Sequence, residues 1–330
     1  MTRLRVGVIG AGHLGSLHAR MYAAIPAAEF VGVMDTDRSR ADAVAKELGV
    51  ASFPTAEALL RNVAAVSIAT PTSSHFELAR CAIEAGVHVI VEKPVTSTIE
   101  QAAGLVSLAR ARRVKLQVGH IERFNPALLA LEKYRLRPMF IESHRLAQFN
   151  PRGTDVAVVL DLMIHDIDII VCLVHSPVTG IEANGLAVVS DTIDIANARI
   201  QFENGCVANV TASRISQKKM RKMRLFQKDA YISIDFSEGL TEVFRLRGDE
   251  DAPGTTTQLL GEIDAGAVKR RIVYEQPEVK EVNALRYELE KFIHCVQHDE
   301  VPAVTGEEGL RALQVAHDII ARIHQQKLVL

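Results

Sequence analysis

The chain has 330 residues, 48% of them hydrophobic and 24% charged, which excludes a disordered or fibrous protein and leaves enough material for two packed domains. Its 38 basic and 40 acidic side chains give a formal charge of -2, so no global field gathers nucleic acid or an anionic membrane surface, and a small molecule is the expected partner. Cys81, Cys172, Cys206 and Cys295 share no close spacing, which argues against both a zinc cluster and a disulfide framework; no metal is expected.

Short β-rich runs alternate with helical patterns over the first part of the chain. Strands are expected at Leu4 to Ile9, Phe30 to Met34, Ala65 to Ala69, His88 to Val91 and Lys115 to Val118. Between them, helical patterns over Arg38 to Leu48 and Phe76 to Ala85 end at Gly49 and Gly86, where a C-cap favours a left-handed residue, and a further helix covers Ile99 to Arg112. This order predicts a doubly wound parallel sheet with helices on both faces.

Beyond about His120 the pattern changes. A helix is expected around Pro126 to Tyr134, a strand over Met139 to Phe149 and a helix across Asp155 to Val174. Strands follow at Gly185 to Val189, Ile195 to Phe202, Val207 to Ser213, Met223 to Phe226, Tyr231 to Phe236 and Val243 to Leu246, separated by turn residues, so a large, mostly antiparallel sheet is expected. Gly248 to Gly266 is polar and reads as a surface loop, and helices near Ala284 to His298 and Glu307 to Gln325 close the chain. The expected division is a cofactor domain over 1–119 and a substrate-binding and oligomerisation α/β domain over 120–330.

No apolar run is long enough to span a bilayer, and Met1-Thr2-Arg3 leads directly into a strand without a signal-peptide pattern, so a cytoplasmic protein is expected. Asn209-Val210-Thr211 then reads as a chance glycosylation match inside a strand. The exposed face of a large open sheet needs a cover, which predicts self-association as a homodimer or homotetramer.

The chemistry begins at Gly10-Ala11-Gly12-His13-Leu14-Gly15, a G-x-G-x-x-G turn between a strand and a helix. The first glycine permits the turn, the second lets backbone approach a pyrophosphate, and the third lets the helix pack on the strand, with the helix N-terminus facing the phosphates. Asp35 ends the second strand, where a carboxylate binds adenosine ribose hydroxyls and repels a 2′-phosphate; NAD is favoured over NADP, with Arg38 close by. Thr70 and Pro71 lie at the ligand-binding edge of such a sheet, although a plain strand-ending turn explains them equally well. His13 and His18 read as helix-surface histidines, His13 being one of the turn residues next to the cofactor.

Glu92-Lys93-Pro94 ends a strand at the same edge, where a lysine can polarise a substrate oxygen or exchange a proton. In the second domain, Asp161 and His165 are spaced four apart, so one helical face carries both. A carboxylate fixing one imidazole tautomer suits a general base, and a structural ion pair suits the same spacing.

Together the fingerprint, Ala69-Thr70-Pro71 with His75, Glu92-Lys93-Pro94-Val95, and Leu160-Asp161-Leu162 through His165 and Asp168 resemble the glucose-fructose oxidoreductase, inositol dehydrogenase and MocA family over the whole chain. The resemblance implies a Rossmann domain followed by an open-sheet α/β domain, a bound nicotinamide cofactor, and oxidation or reduction of sugar-like substrates. It places Lys93, Asp161 and His165 at the catalytic positions, and His75 and Glu92 beside the cofactor. Met163 and Ile164 stand where the family has small residues, a departure expected to reshape the pocket. Val118 through Pro126 resembles the nucleotide-sugar branch, which includes UDP-N-acetylglucosamine 3-dehydrogenases. That resemblance implies sugar or phosphate contacts from Arg123 and Asn125. The basic run Arg214 to Arg224, with Lys218, Lys219, Arg221 and Lys222, fits either a diphosphate partner or a solvated or subunit-facing surface.

The expected function is therefore NAD-dependent hydride transfer at a secondary alcohol, C3 of a UDP-linked N-acetylhexosamine. His165 and Lys93 exchange the proton and steady the oxygen, in either assignment, and Asp161 orients the imidazole. A dehydrogenase of a free sugar, inositol or dihydrodiol is the second reading, and an NAD-binding regulatory protein without turnover is the third.

Overall fold

The computed structural model describes residues 2–150, 156–247, 257–265 and 268–325. It divides into two compact units, one of residues Met1–Phe124 with Val282–Gln314, the other of Asn125–Glu281 with Val315–Leu330. A single cut after residue 119 therefore does not describe the chain, because 282–314 belongs with the first unit.

In the first unit, β1 (Leu4–Ile9), α1 (His13–Ala24), β2 (Ala28–Met34), α2 (Arg38–Leu48), β3 (Ala51–Ser52), α3 (Ala56–Leu60), β4 (Ala65–Ile68), α4 (Thr72–Glu84), β5 (His88–Glu92), α5 (Ile99–Arg112) and β6 (Leu116–Gly119) follow in order. The six strands pair in parallel in the order β3-β2-β1-β4-β5-β6. Strand order reverses beside β1, the crevice where open α/β sheets bind ligands. Local chemistry agrees with these boundaries: Asp37 caps α2 through Ser39 N and Arg40 N, and Gly49 ends it at φ +66°. Thr98 caps α5 through Gln101 N.

A 3-10 turn over Ile121–Phe124 follows, then α6 (Pro126–Leu129), β7 (Phe140–Leu146), a π-helical turn (Val159–Met163), α7 (Ile164–Val174) and β8 (Val178–Leu186). The chain continues through β9 (Ile195–Phe202), β10 (Val207–Ser213), β11 (Met220–Gln227), β12 (Ala230–Asp235), β13 (Leu240–Arg247), β14 (Thr257–Ala265), β15 (Val268–Glu275), α8 (Ala284–His298) and α9 (Gly306–Gln325). Strands β7 to β15 form one nine-stranded sheet, ordered β14-β15-β13-β12-β11-β7-β10-β9-β8 and antiparallel except where β10 runs parallel to β7. Alternation explains its two faces: Ile141, Ala198, Ile200, Ala208, Val210, Met223, Leu225, Ile232 and Ile234 are buried, and the residues between them point the other way.

Three expectations change. The expected loop over Gly248 to Gly266 contains β14 from Thr257 onward; residues 248–256 and 266 lie outside the described residues. The apolar run of the expected strand Gly185 to Val189 is exposed, with Leu186, Val188 and Val189 at 45%, 58% and 55%. Asp194 gathers the N–H groups of Val188, Val189 and Ser190 at 2.8, 2.7 and 3.0 Å, so that stretch is a loop and the strand ends at Leu186. The long helix expected from Asp155 begins at Val159 as a π turn; Asp155 lies outside the described residues.

The first unit's core runs from Val6, Val8 and Val33 through Ala19 and Tyr22 to Leu285, Leu289, Phe292 and Ile293 of α8. Among the described residues, no helix is long and apolar enough to cross a membrane.

Candidate active site

Two of the three glycines in the turn at the end of β1 are required by close backbone approaches. Gly10 has φ +101°, and a Cβ there would lie 2.5 Å from the Ala69 carbonyl oxygen. At Gly15 a Cβ would lie 1.8 Å from the Gly10 carbonyl oxygen, so α1 can pack on β1 only without a side chain. Gly12 differs: φ is -71° and an added Cβ would meet nothing within 4 Å. The fold itself has no need of glycine there, whereas a pyrophosphate approaching the backbone does. Gly12 is also the N-cap of α1 and makes no side-chain cap bond, which suits an anion at that helix end. His13 and Leu14 are exposed on the first turn, Leu14 at 46%.

Asp35, at the end of β2, accepts from Ala11 N at 2.5 Å and from Asp37 N at 2.8 Å. Its half-buried carboxylate thus ties the glycine turn to the second strand. These features fit NAD: an open backbone at Gly12 for the diphosphate and an acid at the ribose position that disfavours a 2′-phosphate.

Thr70 follows β4 and Pro71 caps α4. His75, on the first turn of α4, is 1% exposed. Its Nε2 lies 2.8 Å from the Thr70 carbonyl oxygen and its Nδ1 2.9 Å from the Pro94 carbonyl oxygen. It therefore bridges the ends of β4 and β5 from within and reaches the cofactor edge through Thr70. Burial pushes its pKa below the usual imidazole range.

Glu92 closes β5, and Lys93 follows, half-buried, with a cis peptide to Pro94. The Glu92 carboxylate turns inward: Oε1 accepts from His18 Nε2 at 2.9 Å. Burial by itself raises the carboxyl pKa, but the His18 hydrogen bond and the charges of Lys93 and His75 outweigh it and hold Glu92 below its ordinary value. His18 is 1% exposed, which corrects its reading as a surface histidine. Gly15, His18, Ala19 and Tyr22 form the buried stripe of α1, and their i, i+3, i+4, i+7 spacing was the signal for it.

Arg123 stays within the first unit, where Nη1 meets Glu308 Oε1 at 2.8 Å with side chains 10% and 25% exposed. Glu308 in turn accepts from Thr305 N and Oγ1, and Thr305 Oγ1 accepts from Glu308 N, a reciprocal capping box at the start of α9.

In the second unit, Asn125 caps α6 through Ala127 N at 3.1 Å and donates to the Phe236 carbonyl at 3.2 Å. Asp161 lies in the π turn and His165 one residue into α7; both are half-buried, while Met163 and Ile164 between them are 0% and 1% exposed. Met163 and Ile164 thus fill the core, so the departure expected to reshape the pocket is a packing feature instead. A π turn inside a helix is frequently found at functional positions. Next to His165, Asp166 forms a buried pair with Arg145 of β7, a contact the sequence did not reveal. The basic run divides: Arg214 is 3% exposed and donates to the carbonyl oxygens of Val156 and Ile193, so it braces the 187–193 loop instead of meeting a diphosphate. Lys218, Lys219, Arg221 and Lys222 are exposed, with Lys222 paired to Asp235 at 3.0 Å.

Residues 4–120 match the GFO/IDH/MocA oxidoreductase family, NAD-binding Rossmann fold, and residues 137–239 match the GFO/IDH/MocA C-terminal domain. The UDP-N-acetylglucosamine 3-dehydrogenase of Acidithiobacillus ferrooxidans is 39% identical over 317 residues, 96% of each chain. A solved structure of that enzyme superposes with a TM-score of 0.87 at 37% identity, covering 98% of both chains. The scyllo-inositol 2-dehydrogenase (NAD(+)) of Bacillus subtilis is 27% identical over 95% of this chain and 92% of its own. Sequence, sheet topology and the NAD-adapted turn agree: the chain belongs to the GFO/IDH/MocA oxidoreductase family.

Proposed function

We propose that the protein is an NAD-dependent dehydrogenase of a nucleotide sugar, acting on the C3 hydroxyl of a UDP-N-acetylhexosamine. The single observation that carries the reading is the 39% identity to a UDP-N-acetylglucosamine 3-dehydrogenase over 96% of both chains. The turn at Gly10, Gly12 and Gly15, with Asp35, Thr70 and Pro71 around it, holds the cofactor, and His13 and Leu14 border it. NAD, when bound, supplies the hydride acceptor. His165 takes the hydroxyl proton, Asp161 holds the imidazole in the tautomer that accepts it, and the Lys93 ammonium stabilises charge on the oxygen. Arg123 and Asn125 border the sugar or its phosphates, acting also through the Glu308 and Phe236 contacts that fix them.

A second reading, inositol oxidation, is favoured by the scyllo-inositol 2-dehydrogenase relative. NADH absorbance separates the two when the purified protein is given NAD with UDP-N-acetylglucosamine, free N-acetylglucosamine or scyllo-inositol. NADH formation with the UDP-sugar alone supports the first reading, and formation with inositol alone replaces it.

The second unit is assigned substrate binding and assembly, in a cytoplasmic homodimer or homotetramer. Phe140, Phe226, Tyr231, Phe244 and Tyr274 form a row across five strands, with successive ring centroids 5.7, 5.0, 5.5 and 5.1 Å apart. Phe226 is 36% exposed. An aromatic row on an open sheet face suits burial against a second copy. Light scattering of the wild type and Phe226→Lys tests this: a monomeric wild type excludes it, and a variant of lower mass supports it.

A further inference from the structure

Lys93 has a neighbour on each side whose polar group is gripped by a buried histidine. Before it, the Glu92 carboxylate accepts from His18 Nε2 at 2.9 Å; after it, the Pro94 carbonyl lies 2.9 Å from His75 Nδ1. The two imidazoles come from different helices, α1 and α4, and each is 1% exposed.

Each has a polar neighbour on its far side. His18 Nδ1 is 3.1 Å from Ser67 Oγ, which is 2.8 Å from the Tyr22 hydroxyl. One proton assignment satisfies this chain throughout: Tyr22 donates to Ser67, Ser67 to His18 Nδ1, and His18 Nε2 to the Glu92 carboxylate. His75 Nε2 is 2.8 Å from the Thr70 carbonyl; a neutral ring carries one N–H, and the clamp places it on Nδ1, towards Pro94. Space is fitted to the arrangement as well, since a Cβ at Gly119 would lie 3.0 to 3.2 Å from the Glu92 carboxyl group. A buried polar chain of this kind costs stability wherever a member is left unpaired, and an ordinary sheet–helix contact is built from apolar side chains.

We infer that His18 and His75 are positioning residues for Lys93, a two-sided clamp that fixes the backbone around it so that its ammonium is aimed in one direction. The inference rests on the proposed role of Lys93. A displacement of about 1 Å at a reacting group can reduce turnover by up to ~100-fold, so the clamp should be read in kcat while cofactor binding stays intact.

Amide side chains can test the two arms separately. Glutamine places its nitrogen where His Nε2 lies, and asparagine where His Nδ1 lies. His18→Gln keeps the donor to Glu92 and His18→Asn loses it; His75→Asn keeps the donor to Pro94 and His75→Gln loses it. We expect His18→Asn and His75→Gln to lower kcat by about tenfold or more, with the NADH dissociation constant, read by the fluorescence of the reduced nicotinamide, changed less than about twofold, and each opposite variant to retain most of kcat. Equal losses for both amides at a site, or lowered melting temperatures with unchanged kcat, would overturn the clamp, because a purely structural histidine does not distinguish its two nitrogens in this crossed order. If a His18 variant does not fold, Ser67→Ala reads the same arm by removing one oxygen: a kcat loss of about threefold supports the clamp, and an unchanged kcat overturns it. The wild type is assayed first with the UDP-sugar and with scyllo-inositol. Turnover of inositol alone overturns the substrate assignment, and the crossed pattern is then read with inositol.

Discussion

Arg145 holds Asp166 with two hydrogen bonds, 2.8 Å from Nε and 3.1 Å from Nη2, in an interior where the two side chains are 4% and 2% exposed. Because Arg145 lies on β7 and Asp166 follows His165 on α7, the pair sets the rotation of that helix on its sheet. Removing one partner leaves a buried charge without its counterion, so Arg145→Met or Asp166→Leu alone should cost about 3–5 kcal/mol in denaturant unfolding. The double replacement should recover much of that loss. Single variants within about 1 kcal/mol of wild type would show that the pair does not hold α7.

Gly15 and Gly12 of the cofactor turn should separate folding from binding. Gly15→Ala forces a methyl against the Gly10 carbonyl oxygen and is expected to lower the melting temperature of the first unit. Gly12→Ala meets nothing within 4 Å, so its melting temperature should stay near that of wild type while NAD affinity falls by about tenfold or more, roughly 1.4 kcal/mol. Calorimetric melting with and without NAD checks both. Undiminished NAD affinity in Gly12→Ala would remove the diphosphate from this turn.

Replacing Lys93 by methionine keeps most of the length of the side chain and removes its charge. NAD binding should persist while turnover falls by ~10²–10⁴-fold, the range for a group engaged in proton transfer or charge stabilisation. Single-turnover NADH formation gives the number, and full turnover would exclude Lys93 from the chemistry.

Acid sensitivity should be focused at Asp194. It is 0% exposed; burial alone raises its carboxyl pKa, but hydrogen bonds from Ser190 and from the backbone of Val188, Val189 and Ser190 outweigh that and hold it well below the usual carboxylate range. In the unfolded chain this acid takes up its proton near pH 4, in the folded chain only at lower pH. Its contribution is thus complete above the unfolded value and is lost as pH falls through it towards the depressed one. Melting curves from neutral pH to about pH 3 should fall more steeply for wild type than for Asp194→Asn. Parallel slopes would place the acid sensitivity elsewhere.

The parallel sheet was legible because strands such as Val6 to Ile9 and Val89 to Val91 are buried on both faces and read as unbroken apolar runs. β14 was not, since Leu259 and Leu260 are adjacent and both about half exposed, which erases the period-two pattern of a strand with one covered face. Ala187 to Val189 misled in the opposite sense: this apolar run belongs to a loop, because Asp194 takes the N–H groups of Val188 and Val189 that a strand partner would take. The candidates Lys93, Asp161 and His165 came from residue type, spacing and the family resemblance. His18 was missed because its position on the α1 stripe, not its residue type, decides that it faces Glu92.

The return of residues 282–314 to the first unit has a consequence for how the protein is made. Leu285, Leu289, Phe292 and Ile293 complete the core that Ala19 and Tyr22 begin, so a ribosome that has released the six parallel strands has not yet released the helix that seals them. The cofactor-binding half can finish folding only after the strands of the second unit have also been made, and until then its unfinished α1 surface is available to chaperones.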